Sequence, residues 1–503
     1  MRVLLIFPPM TILPFEKPRV VAPLGIAYLA SFLEKNGKEV AILDAVGEGW
    51  RNQTFVERGG NTFLRVGLPQ EEIKRRIAGW KPDLVGISCL FSSQAANAHE
   101  VAKIVKEVDG EIKTVFGGAH PTVLPEKTLA DKNVDFVVMG EGEITLLELV
   151  EALEKGQTDF SQVKGLAFKR EGRVIMNPPR EFIRDLDSLP FPARHLLPME
   201  EYFKAAGGHG AAERKSRFTS VITSRGCPRR CIFCSIHTIW GYAWRPRSPE
   251  NVLEEPEPLV QQYRVEEIHF EDDNLTLDPK RMEKICDGMI ERGLDVCWAT
   301  PNGVHINTLN QNLLKKMRDS GCYWLCFGLE HGDPHFRNNV IGKPISAEHA
   351  KKVVGWANEL GIWTNGFFII GLPGETPETV RKSIEFAKWL DLDFASFFIA
   401  TPYPGTRLYE LAKDAGYLES EPDWSSYKVL MPTMDINIAT MRKDDLMYWL
   451  KRANFEFYSA RLVKELSLKS VKKRLKQLKS IDDVGLMARL LRYFLTDVMR
   501  RGK

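Results

Sequence analysis

Two separate runs in which short apolar strands alternate with amphipathic helical stretches leave few folds open to this chain. The first run reads strand RVLLIF, helix PLGIAYLASFLEKNG stopped at Gly37, strand EVAILD, helix QEEIKRRIAGW, strand LVGISCL, helix AANAHEVAKIVKEV, strands TVFGG and FVVMG, and helix EITLLELVEALEKG. Strands separated by helices pair in parallel, so residues 1–160 are predicted to form one doubly wound, Rossmann-like α/β domain. Residues 161–216 are irregular, with a hairpin signal in GLAFKREGRVIMN and a proline-rich passage DLDSLPFPARHLLP, and read as a connector. From 217 to 410 the alternation resumes in TSVITSRG, EEIHFEDDN, VCWATPNG, YWLCFGLEHG, GIWTNGFFIIGLPG and FASFFIATPYPG. Six such units fall short of a closed eight-unit barrel, so a partial, open (β/α)6 barrel is expected, with its chemistry at the carboxyl edge. Residues 411–503 lose strand signals and read as a basic, mainly helical region.

Composition bounds the class. At 44% hydrophobic and 27% charged over 503 residues, the chain is ordinary globular material with room for several cores. No run of about 18 apolar residues occurs, and the opening MRVLLIFPPM is broken by Pro8 and Pro9, which reads as a buried strand of a cytoplasmic protein. Eight cysteines, three of them close together and the rest scattered, make no disulfide framework. The net charge of +3 hides an asymmetry, because residues 441–503 hold 17 Lys and Arg against 7 Asp and Glu. A solvated cationic face on a packed helix is the simpler account. A peripheral contact with an anionic membrane is the other, and no nucleic-acid partner is expected.

The three clustered cysteines stand in SRGCPRRCIFCS as Cys227, Cys231 and Cys234, directly after strand FTSVIT, on the first loop of the barrel's carboxyl edge. Spacing C-x3-C-x2-C gathers three soft anionic ligands, enough for three irons of a 4Fe-4S cube whose fourth iron stays open. An open coordination position marks a reactive rather than a structural metal. A zinc ion completed by His237 or a distant residue is the competing account. Cys286, Cys297, Cys322 and Cys326 sit in apolar surroundings and read as buried small hydrophobes. In the first domain the strand ends at Gly117-Gly118 and Glu141-Gly142 lie where doubly wound sheets bind ligands, though tight turns alone would also explain the glycines.

The trio, with aromatic Phe233 before its last cysteine, resembles the cluster loop of the radical S-adenosylmethionine (SAM) superfamily. Further segments follow in the family's order. FEDDNLT is similar to the part that contacts the SAM amino group, which implies Glu271, Asp272 and Asp273. CFGLEHG resembles the fourth-strand motif and implies Glu330 near the ribose or methionine moiety. FFIIGLPGET looks like the fifth-strand motif beside adenine and implies Ile369 and Gly371, while ATPYPGTRL completes the set. The first domain, with APLGIAYL, VFGGAHPT and DFVVMGEGE, resembles the cobalamin-binding domain ahead of many radical SAM barrels, which makes Gly117, Gly118, Glu141 and Gly142 expected cofactor contacts. Its usual D-x-H-x-x-G signature is missing, since Asp44 is followed by AVGEG. The loop from Met10 to Val21 and residues Ser88 to Gln94 are the candidates under cobalt by position.

The resemblance to class B type radical SAM methyltransferases implies a 4Fe-4S cluster, SAM and cobalamin as cofactors. It also implies a 5'-deoxyadenosyl radical and methyl transfer to an unactivated carbon, with an external donor of flavodoxin or ferredoxin type supplying electrons. Trp240, Tyr242 and Trp244 beside the cluster would suit a large apolar substrate such as an isoprenoid, hopanoid or tetrapyrrole, or they simply pack. Oxidative cyclisation or carbon–carbon coupling is the alternative chemistry, and a cobalamin or cluster sensor a more distant one.

Overall fold

The computed structural model describes residues 1–58, 60–205, 207–208, 213–418, 440–465, 468–478 and 481–493. The first domain contributes ten strands: β1 (Arg2–Phe7), β2 (Met10–Ile12), β3 (Glu39–Asp44), β4 (Gln53–Arg58), β5 (Asn61–Val66), β6 (Leu84–Ser88), β7 (Lys113–Gly117), β8 (Phe136–Val138), β9 (Leu166–Arg170) and β10 (Arg173–Met176). Seven of them form one sheet in the order β10-β9-β8-β7-β6-β1-β3. The uninterrupted apolar run of β1 is explained by burial on both faces. Helices Leu24–Lys35 and Glu143–Glu154 cover one face through Ile26, Leu33 and Leu149, and Gln70–Trp80 and Ala95–Val108 cover the other through Ile73, Ile77 and Val101.

The five parallel strands run β3-β1-β6-β7-β8, so the chain changes direction between β1 and β6, and the ligand cleft of such a sheet opens at those two carboxyl ends. That is where the two segments expected under cobalt emerge. They are tied together there: the Gln94 side chain accepts from the Thr11 amide (2.8 Å) and donates to its carbonyl (2.9 Å). Two features differ from expectation. The hairpin β9–β10 joins the sheet as an antiparallel edge, so the sheet runs past residue 160 to Met176. Residues 45–69, given no strand from sequence, supply β4 and β5, which with β2 make a separate three-stranded antiparallel sheet.

The second domain contains β11 (Phe218–Val221), β12 (Ser224–Arg225), β13 (Arg245–Pro246), β14 (Glu267–Phe270), β15 (Cys297–Val304), β16 (Cys322–Glu330), β17 (Trp363–Ile370) and β18 (Phe394–Ile399). Six run parallel in the order β11-β14-β15-β16-β17-β18, the expected partial barrel, while β12 and β13 form a short antiparallel ribbon of their own. Outward residues such as Ile268, Trp298, Leu325 and Phe368 pack with the helices; Cys297, Trp324, Cys326 and Trp363 face each other on the concave side. Helix Ile481–Tyr493 inserts Leu486 among the latter group and pairs Asp483 with Arg214 (2.9 Å), covering the barrel's amino end.

The basic region turns inward. From helices Lys443–Glu465 and Leu468–Gln477, Arg461 (3.0 Å), Lys473 (2.7 Å) and Arg474 (2.9 Å) all reach Asp393, and Lys464 reaches Asp391 (2.9 Å). Although burial opposes its charge, these cations hold the Asp393 carboxyl well below the usual carboxylate range. Part of the charge that sequence assigns to a solvated or membrane-facing surface is therefore paired with acidic residues of the barrel. Residues 494–503, the end of that basic stretch, lie outside the described residues. No helix among the described residues is long and apolar enough to cross a membrane.

Candidate active site

After β11 the chain passes through Thr223 and β12 into the loop of Cys227, Cys231 and Cys234. The ribbon closes this loop at its neck, with Arg225 directly opposite Arg245. Gly226 has φ +84°, and a Cβ there would stand 2.3 Å from the Ala243 carbonyl oxygen, so the exit from the ribbon requires glycine. Ile232 donates to the Ile341 carbonyl (3.2 Å) and accepts from the Leu408 amide (2.8 Å), which fixes the loop's far side. Phe233 and Ile369, both expected near the cofactor, meet in one apolar cluster with Phe336, Ile341 and Leu372. The three thiols are free and half-buried. Burial pushes Cys231 up to about 12 and Cys234 up to about 11, so metal binding here releases protons. Among the described residues no three His, Cys, Asp or Glu side chains converge as ligands of a single ion. A cube, which takes one thiolate at each of three corners, requires no such convergence.

The acidic trio after β14 divides into three roles. Glu271 accepts from the Ser220 hydroxyl (3.3 Å), and its backbone carbonyl accepts from Asn302 (2.8 Å). Asp272, expected to touch SAM, is turned inward: its carboxylate accepts from the Thr223 amide (3.0 Å), the Thr223 hydroxyl (2.8 Å) and the Ser224 hydroxyl, and so anchors the entry to the cysteine loop. Asp273 differs from both. Its Oδ2 is buried with no hydrogen-bond partner among the described residues, and its charge acts on Cys234. Burial and the Asp272 charge push it up to about 7. Beside it, Asn274 donates to Cys227 Sγ at 3.8 Å.

Glu330 ends β16 in a left-handed conformation, φ +65°, uncommon for a residue with a side chain. It pairs with Lys343 at 2.7 Å, a residue that sequence reasoning missed. Burial works against the lysine's charge, but Glu330, Cys231 and Cys227 together hold it above the usual lysine range. The next residue, His331, is fully buried rather than superficial. Its Nδ1 accepts from the Asp333 amide (2.9 Å), which leaves the proton on Nε2 to donate to Glu375 (2.7 Å). Glu375 in turn accepts from the Gly371 and Leu372 amides, so the expected adenine-side loop is shaped by a carboxylate anchored to the end of β16.

At the first domain's carboxyl edge Gly117 has open space where a side chain would be, whereas Gly118 lies tight on the β6 end, 2.7 Å from Cys89 O if given a Cβ. Leu90, Phe91 and Phe15 are exposed apolar side chains in the loops at this edge. Gly142 faces Leu29. Glu141, also expected to hold cofactor, is instead engaged by the barrel: it binds Arg225 (2.9 Å), Arg245 (2.8 Å) and the Ile183 amide (2.8 Å), and Glu143 binds Arg225 (2.6 Å). Asp44 caps the helical turn Ala45–Gly49 through the Val46 (3.0 Å) and Gly47 (2.9 Å) amides and accepts from the Tyr202 hydroxyl (2.6 Å). Burial pushes it up to about 6.

Two family models match the chain: the B12 binding domain over residues 17–150 and the radical SAM superfamily over 221–387. An uncharacterized methyltransferase of Pyrococcus horikoshii is 38% identical over 91% of this chain and 92% of its own length. Cytidylyl-2-hydroxyethylphosphonate methyltransferase of Streptomyces wedmorensis is 35% identical, covering 87% and 86%. The chain belongs to the radical SAM methyltransferases that carry a B12-binding domain. An anaerobic magnesium-protoporphyrin IX monomethyl ester cyclase of Rubrivivax gelatinosus is a more distant relative of this family member, 28% identical over 82% of this chain and 69% of its own. This chain's fold is that of the cobalamin-dependent radical enzyme OxsB, solved with aqua-cobalamin and SAM bound (TM-score 0.70, 16% identity, 100% of this chain, 71% of that one). It is also that of TsrM from Kitasatospora setae, solved with cobalamin and a [4Fe-4S] cluster (TM-score 0.65, 20% identity, 84% and 76%).

Proposed function

We propose that this enzyme transfers a methyl group from SAM to an unactivated carbon of a small-molecule substrate, using a 4Fe-4S cluster and cobalamin. The observation that carries the reading is the pairing of a buried acceptor, unpartnered among the described residues, with a largely buried cation beside the cysteine loop: Asp273 Oδ2 on one side, Lys343 against Glu330 on the other. An amino acid's ammonium asks for the first and its carboxylate for the second, and both flank thiols spaced for a cube with an open iron. Cys227, Cys231 and Cys234 would hold the cluster. Asp273 would accept from the SAM amino group, Lys343 would neutralise its carboxylate, and the Gly371–Leu372 loop held by Glu375 would border the adenine. Leu90, Phe91, Gly117 and the Met10–Val21 loop would border the corrin. When bound, the cluster supplies one-electron cleavage of SAM and cobalamin supplies a carrier for the methyl group. The protein's own part is to bind, orient and exclude water, so no acid–base dyad is required.

The experiment is anaerobic reconstitution with methyl-labelled SAM and an external reductant of flavodoxin or ferredoxin type. Label in product, with 5'-deoxyadenosine and S-adenosylhomocysteine, is the expected outcome. Because one relative is named for a cytidylyl phosphonate, that compound belongs in the substrate panel with isoprenoid and tetrapyrrole candidates. The cyclase relative keeps a second reading in view, and deoxyadenosine without label transfer would decide for it.

A further inference from the structure

We infer that Glu141 and Glu143 of the first domain position the cysteine loop by gripping its neck through Arg225 and Arg245. The inference rests on the reading that this loop holds the cluster. The loop runs from residue 226 to 244, and both of its ends are set by the two-residue ribbon in which Arg225 lies opposite Arg245. Like charges directly across a pair of strands push it apart. Here the repulsion is cancelled by two carboxylates from another domain: Glu141 bridges both guanidiniums, and Glu143 takes the second arm of Arg225. All four side chains are at most 8% exposed, so solvent cannot replace a missing partner. The connector joins the grip, since Ile183 donates its amide to Glu141 and accepts from Arg245 at 2.6 Å. The carboxylates come from the loop after β8 and the first residue of the helix that follows it, on the edge where the first domain's ligand cleft opens, so that edge and the cysteine loop are fixed as one body. Glu141 and Glu143 are thus positioning residues acting through Arg225, and touch no reacting atom.

The test uses the full chain, reconstituted without oxygen, as parent, Arg225→Met, Arg225→Lys and Glu143→Gln. Three quantities are read on the folded fraction: iron per chain, the half-life of that iron against a chelator, and the SAM concentration that half-saturates the change in the reduced cluster's electron paramagnetic resonance signal. Arg225→Met and Glu143→Gln are expected to shorten the chelation half-life and raise half-saturation by about tenfold or more, the range for a lost charged hydrogen bond. Arg225→Lys, which keeps the charge and one bond, is expected to recover part of both. A merely structural clamp lowers the melting temperature and leaves these quantities at parent values in the folded fraction, and that result overturns the inference. If Arg225→Met does not fold, parent values in Arg225→Lys and Glu143→Gln overturn it equally. A parent that retains no iron overturns the cluster reading itself, an outcome distinct from a loaded parent with unaltered variants.

Discussion

Neighbouring carboxylates of one sequence motif do different work here because their surroundings differ by a few hydrogen bonds. Asp272 and Asp273 are indistinguishable as letters, yet the first has Thr223 and Ser224 around it and the second has an oxygen with nothing to accept among the described residues. Asp273→Asn is expected to keep its iron and lose SAM affinity by about 10- to 100-fold, measured by equilibrium binding to the loaded enzyme. Asp272→Asn is expected instead to lower iron loading. Lys343→Met leaves Glu330 buried and unpaired, which costs roughly 3–5 kcal/mol, and the double variant with Glu330→Gln should recover much of that in a denaturant melt. Asp44 gives a pH signature. Its pKa in the fold, about 6, lies above the 3.8 of a free side chain, so folding takes up a proton between those values. Stability therefore falls as pH rises from about 4 to about 6, by roughly 3 kcal/mol at most, and Asp44→Asn should flatten that slope in urea melts. At this scale sequence placed the cysteines, because three thiols at fixed spacing need no tertiary information. It could not sort the carboxylates or find Lys343, which follows Glu330 by 13 residues but meets cysteines from the loop after β12.

At the scale of elements, the loops that carry chemistry are held by their ends. The ribbon closes the cysteine loop, and His331 with Glu375 ties the end of β16 to the start of the loop after β17. Gly226→Ala introduces a Cβ against the Ala243 carbonyl at a left-handed φ, so it is expected to abolish most iron loading while the far-ultraviolet dichroism of the sheets persists. The strand and helix alternation was legible because parallel β/α units write two clear periods into the chain. The hairpins were less so. β4 is mostly polar, with Gln53, Thr54 and Glu57 exposed along it, and β5 offers only the short apolar pair Phe63–Leu64 to read. Glu141 was legible as a residue at a ligand-bearing edge, but its partners, Arg225 and Arg245, stand in another domain.

Over the whole molecule, part of the charge that looked like a surface property is structural. Four cations of the basic region close on Asp391 and Asp393. Asp393→Asn strands Lys473 in the interior and takes one carboxylate from Arg461 and Arg474, which keep Glu465, and is expected to destabilise by roughly 3–5 kcal/mol, read as a lower midpoint in thermal unfolding. Sequence counted these charges correctly and could not tell which way they pointed, since the acidic partners sit some 70 to 80 residues earlier in the chain. The helix Ile481–Tyr493 bears on how the protein is made. It covers the amino end of a barrel whose β18 finishes at Ile399, and its Leu486 packs beside Trp324 and Trp363. During synthesis the six strands emerge well before the residues that cover them. For that interval two tryptophans and a cysteine-lined concave wall lack their apolar cover, and the growing chain is a natural client for chaperones until the covering helix arrives.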